Sequence, residues 1–352
     1  MLGTFTAPIL GGTTASANAP YDPSVPRGPK TFESSERPKG RHGADNCPLC
    51  GSRPADTCLL RSGDRLHGAP GTFSVDVCRS CGAGWTQPPA SEEELDDFYP
   101  HSYSAHRLQE GLLRSVQELG QRLMLNRALA RPPLLALSDV PTGDLLDVGC
   151  GRGDLGAALV NRGWRVVGID PSPAACAIAE SRGLGTHIGT LESVTLAKQS
   201  FDAVVMNHSL EHVVNPLRDI AHAYQLLRPG GLIVVSVPNF ASWQRVLFGS
   251  KWFPLDLPRH RTHFTPRSLH LALEREGFEI LGLQSTSDSA ALVATLQYAL
   301  AGRLLLVRAP VAWLAYGFGA LLSPVNRLVD RLHGQRALLD VVARRPGVMA
   351  VG

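Results

Sequence analysis

A chain of 352 residues, 44% of them hydrophobic and 18% charged, is long enough to form two or three units with a sizeable core. Its formal net charge of +3 is too small by itself to indicate nucleic acid or an anionic membrane as a partner. Seven cysteines, four of them in two C-x-x-C pairs, favour metal binding in a reducing compartment over disulfides. The N-terminus lacks the basic and long apolar segments of a secretory signal, so we expect a cytoplasmic protein.

Residues 1–44 are rich in Gly, Pro, Ser, Thr and Ala and lack apolar periodicity, which predicts a disordered tail. Two C-x-x-C-G turns follow, 27 residues apart, in a module that we place over residues 45–90. They can close a tetrahedral sulfur site, so we predict zinc, with paired redox thiols as the alternative. Four thiolates leave no open position for a substrate, so the zinc is predicted to be structural. Its ligands are Cys47, Cys50, Cys78 and Cys81.

Residues 91–135 are predicted to form a helical linker or lid. Ser91 is a suitable cap for a short helix, and residues 108–129 carry a long amphipathic pattern. We expect this second helix to cover the mouth of a cofactor site. The aromatic loop over residues 98–103 could reach the substrate or pack against the cysteine module.

The stretch from Asp144 to Asp170 organises the rest of the chain. It reads as a buried parallel strand, a tight turn with three glycines, a helix, and a second buried strand that ends in Asp170. Glycines let the backbone approach a nucleoside cofactor, and an acid at the end of the second strand can accept hydrogen bonds from both ribose hydroxyls. Asp147 lies inside the first strand, where its carboxylate can meet a cationic or amino group but would repel the pyrophosphate of a dinucleotide.

At these residues the sequence resembles the class I S-adenosylmethionine-dependent methyltransferases, whose first motif is D-x-G-x-G-x-G. The resemblance covers roughly residues 143–283. It implies an α/β fold with a doubly wound, Rossmann-like, seven-stranded methyltransferase sheet, which we place over residues 136–285. It also implies S-adenosylmethionine as cofactor, although Thr190 stands where the family often has an acid near the adenine. The expected cofactor contacts are Asp147, Gly149, Cys150, Gly151, Gly153, Asp170, Pro171, Leu191, Glu192 and Asn207.

Two segments are predicted to face the transfer site. Residues 208–213 follow a predicted strand over Phe201–Asn207, and ligands in such folds lie at the carboxyl ends of strands. The other segment runs up to a helix that Thr265 is predicted to cap, and its histidines can titrate near neutrality and act as bases. In both segments a capping or packing role is the alternative to chemistry. The candidate catalytic residues are His260, His212, Glu211 and His263.

A four-cysteine unit before this core resembles the zinc-containing methyltransferases that act on nucleotide-linked deoxysugars and related glycan intermediates. Those sugar C-methyltransferases carry E-H-F-x-x-F-S, which places their basic histidine on His260 and their serine on Thr265. Arg259 and Arg261 depart from the pattern, which leaves other methylation chemistries open beside C-methylation. The two arginines could instead hold a phosphate or carboxylate of the acceptor, and the histidine could deprotonate a hydroxyl for O-methylation.

The resemblance therefore implies base-assisted methylation of a small molecule, a nucleotide- or lipid-linked sugar or glycan intermediate. An RNA methyltransferase with a zinc module is an alternative, but the modest charge and the absence of a basic stripe with exposed aromatics do not favour nucleic acid. A catalytically silent, membrane-associated protein that binds the cofactor is a third possibility.

Residues 286–352 are predicted to form an apolar helical extension. The apolar runs over residues 290–306 and 311–322 are each shorter than the ~20 residues of a spanning helix. Residues 290–331 could lie on a membrane surface with their arginines toward headgroups, pack on the core, or form a dimer interface. Leu338 to Ala343 is β-branched and apolar enough to return as a strand of the sheet.

Overall fold

The computed structural model describes residues 46–52, 56–68, 70–89, 98, 132–304 and 312–347. The expected tail over residues 1–44 and the expected helix over residues 108–129 lie outside these ranges. So does the rest of the predicted lid, apart from Phe98 and residues 132–135.

The described residues form eleven strands and eight α-helices. The strands are β1 (Asp56–Ser62), β2 (Phe73–Val77), β3 (Gly84–Gln87), β4 (Asp144–Val148), β5 (Arg165–Asp170), β6 (Gly185–Ile188), β7 (Phe201–Asn207), β8 (Leu227–Pro238), β9 (Thr262–His263), β10 (Glu279–Thr286) and β11 (Leu338–Arg344). The helices are α1 (Pro132–Leu135), α2 (Asp154–Val160), α3 (Pro173–Glu180), α4 (Pro216–Leu226), α5 (Trp243–Phe248), α6 (Pro266–Arg275), α7 (Ser289–Ala301) and α8 (Ala312–His333). Short 3₁₀ turns cover Ala136–Ser138, Gly249–Lys251 and Phe253–Leu255.

The central sheet has seven strands in the order β10-β11-β8-β7-β4-β5-β6. Strands β4 to β8 are parallel, and β11 pairs antiparallel with both β8 and β10. The predicted doubly wound, seven-stranded sheet is confirmed. From β4 the chain builds β5 and β6 to one side, and from β7 it builds β8 to the other. The crevice between β4 and β7 is therefore the topological switch point, where such sheets bind their ligands.

The inner strands β4 and β7 are largely apolar and buried because helices cover both faces of the sheet, whereas the edge strand β6 is mostly exposed. One face carries a cluster that includes Leu146, Val204 and Ile233, and the opposite face a cluster that includes Leu145 and Val205. The strands thereby alternate their side chains between two cores. The first cluster extends into the cysteine module through Cys47, Cys78, Cys81 and Trp85.

The N-terminal module does not form its sheet alone. Strands β1, β2 and β3 are antiparallel, and β9 from the methyltransferase-like core adds a fourth strand beside β3. Gly84 is paired with His263, and Trp85 with Thr262. The segment that the sequence predicts to hold a catalytic histidine is thus part of the sheet of the cysteine module.

The C-terminal extension is more closely integrated than a separate tail. Helices α7 and α8 lie between β10 and β11 in the chain, and the predicted last strand is present as β11, in the middle of one half of the central sheet. Among the described residues, no helix combines the length and the apolar character needed to cross a bilayer.

Candidate functional site

Three glycines shape the turn after β4. Gly149, Gly151 and Gly153 all have φ values in the left-handed region, at +74°, +52° and +73°. A Cβ atom on Gly149 would lie 2.6 Å from Ser209 Cβ, and one on Gly153 would lie 2.9 Å from Ala179 Cβ. A Cβ on Gly151 would meet nothing within 4 Å, so this glycine borders open space. The outer two glycines serve packing, and the middle one leaves room for a ligand to approach the backbone.

Two buried acids flank this turn. Asp147 is 2% exposed, and its Oδ2 atom has no hydrogen-bond partner. Burial, and then the charge of Asp170, raise the pKa of Asp147 to about 7. Asp170 uses its own oxygens differently: Oδ2 accepts from the Gly151 amide at 2.9 Å, and Oδ1 from the Ser172 amide at 2.9 Å.

This arrangement fits S-adenosylmethionine. The orphaned oxygen of Asp147 needs a cationic or N–H partner, because an unpaired buried carboxylate is costly. The cofactor carries both an ammonium and a sulfonium. Asp170 stands at the tip of β5 with its orientation fixed by two amides, and each oxygen keeps a lone pair for a ribose hydroxyl.

The remaining predicted cofactor contacts fall into two groups. Cys150 and Leu191 are 7% and 4% exposed and have core side chains, so they can offer a ligand only their backbone. Pro171 is exposed beside Asp170, and Asn207 is half-buried at the end of β7. Glu192, expected near the adenine, is partly exposed and forms an ion pair with Arg218.

The end of β7 leads directly into the predicted catalytic segment. Ser209, which packs against Gly149, is followed two residues later by Glu211, 1% exposed. Its Oε1 atom lies 3.4 Å from His208 Nδ1 and 3.9 Å from His260 Nε2. Burial alone would raise the pKa of Glu211, but the nearby His208 ring and the charges of His212 and His260 lower it to about 2.

His260 has the geometry of a base. Its Nδ1 atom lies 2.8 Å from the carbonyl oxygen of Pro254. A carbonyl only accepts hydrogen bonds, so Nδ1 carries a proton and Nε2 keeps the lone pair of the neutral ring. That Nε2 lies 3.9 Å from Glu211 Oε1 and 3.9 Å from Asp256 Oδ2. Two carboxylates therefore lie where they can stabilise the imidazolium that forms when Nε2 takes up a proton.

The other two predicted histidines are less suited to that task. Burial, and then the charge of His260, lower the pKa of His212 to about 4 and that of His263 to about 3. His212 directs Nδ1 at the carbonyl of Arg259 (3.2 Å), and its ring packs edge-on against His260 with centroids 4.6 Å apart. His263 lies in β9, with Nε2 3.2 Å from Thr86 Oγ1. This geometry favours, for His263, the structural role that the sequence offered beside a catalytic one.

The prediction that Arg259 helps to hold a phosphate or carboxylate of the acceptor is wrong. Its side chain is 1% exposed, and Nη2 lies 2.8 Å from Asp64 and 2.6 Å from Asp256, while Nη1 donates to the carbonyl of Phe98. The guanidinium is neutralised inside the protein. It joins the cysteine module, through Asp64, to the segment before His260.

The four cysteines of the N-terminal module converge. Sγ of Cys47 lies 3.5 Å from that of Cys81, and Sγ of Cys50 lies 3.4 Å from that of Cys78. All four sulfur atoms lie within 4.8 Å of one another. Tetrahedral zinc with Zn–S bonds of about 2.3 Å needs sulfur atoms about 3.8 Å apart. The set therefore fits a structural zinc ion.

The cysteine module also holds the segment of His260. Thr86 Oγ1 on β3 donates to the carbonyl of His260 at 2.5 Å, and the Thr86 amide donates to the carbonyl of Arg261. Thr265 caps α6, as predicted, and its hydroxyl donates to the carbonyl of Cys81 at 3.1 Å.

Sequence reasoning missed four residues of this site: His208, Asp256, Asp64 and Thr86. His208 stands three residues before Glu211 and Asp256 four before His260, spacings that could have identified both. Asp64 and Thr86 lie more than 170 residues from their partners, and no local pattern marks them.

A family model described as a methyltransferase domain matches residues 105–283. The ubiquinone biosynthesis O-methyltransferase of Dinoroseobacter shibae is 33% identical over 147 residues, 38% of this chain and 59% of the relative. That of a Methylobacterium strain is 30% identical over 187 residues, 50% of this chain and 73% of the relative. This chain spans 58–60% of the length of three such curated relatives. A solved S-adenosylmethionine-dependent methyltransferase from Archaeoglobus fulgidus is 18% identical, with a TM-score of 0.44 over 64% of this chain and 94% of that one.

Proposed function

Since this chain belongs to the family of methyltransferase domains, we propose that it transfers the methyl group of S-adenosylmethionine to a small-molecule acceptor. One observation carries the proposal. The buried, unpaired carboxylate of Asp147 stands just before a glycine turn that packs against Ser209, and Ser209 is followed two residues later by Glu211, which lies close to His260. Residues 136–285 form the transfer core in this proposal, and residues 45–90 the zinc module.

The cofactor is held by groups at the ends of β4 and β5. Asp147 binds the cationic part of the ligand, Asp170 accepts from the ribose hydroxyls, and the backbone at Gly151 allows close approach. When bound, the cofactor would supply a methyl group on a sulfonium, from which a neutral thioether departs as a good leaving group. The protein then has to align the acceptor and to remove one proton.

His260 removes that proton. Its Nε2 lone pair would accept the proton of the acceptor group, and the positive charge that then develops on the ring would lie between Glu211 and Asp256. Both carboxylates are ionised at neutral pH: the pKa of Glu211 is about 2, and the hydrogen bond from Arg259 holds that of Asp256 below its usual value against the effect of burial. His212 orients the ring and stays neutral.

We propose that Cys47, Cys50, Cys78 and Cys81 hold a structural zinc ion. Its task in this arrangement is to fix β3, from which Thr86 positions the backbone of His260. The metal itself does not reach the acceptor, because four thiolates fill its coordination.

The acceptor class that we propose is a sugar or glycan intermediate, nucleotide- or lipid-linked. The support is the resemblance of the cysteine module and of the segment from His260 to Thr265 to sugar methyltransferases. The names of the curated relatives make a phenolic acceptor of the ubiquinone type the second candidate, with O-methylation as its chemistry.

Incubation with methyl-labelled S-adenosylmethionine tests the proposal. The wild-type chain is given three acceptor pools: nucleotide-linked sugars, polyprenylated phenols and total RNA. Label in the sugars supports the lead acceptor, label in the phenols the second candidate, and label in RNA contradicts both. His260→Ala is expected to slow transfer by about 100-fold, within the usual range for a lost general base. His270→Ala, a half-buried histidine on α6 with a 43% exposed side chain, is the matched control and should transfer at the wild-type rate.

Asp147→Asn tests the cofactor site independently of the proposed base. Titration calorimetry should show that it binds S-adenosylmethionine far more weakly than the wild type, whereas His260→Ala should bind it normally. Unchanged cofactor affinity in Asp147→Asn would remove the observation on which the proposed function rests.

A further inference from the structure

Exposed apolar side chains are concentrated on one part of the molecule. Twelve large hydrophobic residues in the described chain are exposed, and seven of them lie on helices α5, α7 and α8. These three helices pack against one another. The seven residues are Val246, Leu247, Leu300, Leu321, Val325, Leu328 and Leu332.

Helix α8 exposes apolar side chains and buries polar ones, the reverse of an ordinary surface helix. Leu321, Val325, Leu328 and Leu332 follow one another at spacings of four, three and four, so that they share one face. They are 72%, 59%, 57% and 78% exposed. A helix of a soluble protein normally turns such a stripe toward the core.

The polar side of the same helix is the buried one. Asn326 and Asp330 are each 1% exposed. Asn326 accepts from Gln244 Nε2 at 3.3 Å, and Asp330 accepts from the Trp243 indole at 2.6 Å and from the hydroxyl of Ser287. These bonds fix the rotation of the helix about its axis, because turning the leucines inward would leave a carboxylate and an amide without partners. The exposure of the stripe is therefore enforced.

The charges around the stripe have one sign. Arg303, Arg327 and Arg331 are exposed, as is Lys251 at the adjoining turn. In the described parts of residues 289–336, the carboxylate of Asp330 is the one acidic side chain, and it faces inward. A second copy of this chain would bring like charges together across such a face. An anionic lipid surface would complement it, since arginines at the rim meet phosphates while leucines enter the acyl boundary.

We propose that α7 and α8 form a docking surface for an anionic membrane, with the stripe Leu321, Val325, Leu328 and Leu332 as the inserted part. The helices lie on the bilayer and do not cross it, in keeping with their length and polarity. This inference rests on the exposed face alone and is independent of the proposed methyl transfer.

Co-sedimentation of the full chain with vesicles tests the proposal. The wild type is expected to bind vesicles of phosphatidylcholine mixed with phosphatidylglycerol and to bind pure phosphatidylcholine more weakly. In Leu328→Gln/Leu332→Gln the partition coefficient should fall about tenfold for each leucine, the change that the lost apolar burial predicts. Arg327→Gln/Arg331→Gln should lose the preference for the anionic lipid. Leu271→Gln, an exposed leucine on α6, is the control and should bind as the wild type does.

Three results would overturn the proposal. The first is a wild type that stays in the supernatant with anionic vesicles, and the second is a double leucine variant that sediments as the wild type does. The third is a wild-type dimer in analytical ultracentrifugation that the leucine substitutions convert to a monomer, without vesicle binding by either form. That outcome would show that a second copy covers the face. All substituted side chains are exposed, so the variants keep their interior contacts.

Discussion

Asp147 combines two properties that rarely occur together: it is almost completely buried, and one of its oxygens has no partner. The D-x-G-x-G-x-G pattern predicts where this residue lies. It does not predict the shifted pKa, which depends on the desolvation of the site and on the distance to Asp170. A burial effect of this kind can be recognised only once the surrounding chain has been folded around the carboxyl group.

The raised pKa of Asp147 makes cofactor binding pH-dependent. A cation binds the ionised carboxylate, so protonation competes with binding below the pKa of about 7. Affinity for S-adenosylmethionine should rise with pH and be about tenfold lower at pH 6 than at pH 8, as one proton released on binding requires. Titration calorimetry across this range measures it. Asp147→Asn should lose this dependence and retain only any titration of the cofactor, and an unchanged pH profile in this variant would contradict the assignment.

Arg259 shows how strongly a neighbour far along the chain can change the role of a residue. In the sequence it stands beside His260 and predicts an anion site, but Asp64 and Asp256 occupy its guanidinium. Asp64 lies 195 residues away, so local sequence reasoning had no means of pairing the two.

Asp64→Ala is expected to lower the free energy of unfolding by about 3 kcal/mol, because it removes one partner of a buried charge. Urea denaturation measures the change. Asp139→Ala, an exposed acid, should stay within about 0.5 kcal/mol of the wild type. If both variants were equally stable, Asp256 alone would suffice for Arg259.

At the scale of elements, β9 is the short strand on which the site depends. Its backbone lies between two neighbours: the amides of Arg261 and Thr262 donate to the carbonyl of Glu211, and Arg261 accepts from the Thr86 amide. The proposed base, its carboxylate neighbour and the cysteine module are therefore held together by main-chain hydrogen bonds.

Weakening this attachment should slow transfer without releasing the cofactor. Thr86→Val removes the hydroxyl that bonds the carbonyl of His260 while keeping the shape of the side chain. We expect kcat to fall by up to about 100-fold through misplacement of the base, with an unchanged affinity for S-adenosylmethionine. If the four cysteines hold zinc as proposed, its removal with a chelator should act in the same direction. Equal losses of cofactor affinity and kcat in Thr86→Val would argue against a positioning role.

The elements themselves were largely predictable. The strands β4, β5 and β7 consist mainly of apolar residues with few polar interruptions, and such runs carry their signal locally. Strand β9 has two residues, and its identity comes from pairing with β3, which is more than 170 residues away. A two-residue strand that is defined only by pairing with a distant partner has no hydrophobic periodicity that the sequence could reveal.

At the scale of the whole molecule, the sheet of the cysteine module and the central sheet are joined by apolar, backbone and charge contacts. The cluster on one face of the central sheet includes cysteines of the module, and β9 and the pair of Arg259 with Asp64 add backbone and charge links. The division into a zinc module and a transfer core follows the sequence, but the packing joins them. Sequence composition could not show this, because each part has a plausible core by itself.

We expect the chain, with the proposed zinc ion bound, to unfold as one cooperative unit across both sheets. Scanning calorimetry should give a single transition in which the calorimetric and van't Hoff enthalpies agree. Two separate transitions, one sensitive to chelator and one not, would show that the module and the core unfold independently.

The placement of β11 has a consequence for synthesis. Its partner β8 ends at Pro238, and β11 begins at Leu338, 100 residues later. At the usual ~5–20 residues per second, the open edge of β8 waits about 5–20 s on the ribosome for its neighbour. That edge is apolar, and an unpaired apolar edge is a template for aggregation. The nascent chain is therefore most vulnerable until β11 has been made. Helices α7 and α8, which lie between β10 and β11 in chain order, are made during this interval. A chaperone that shields β8 would act then.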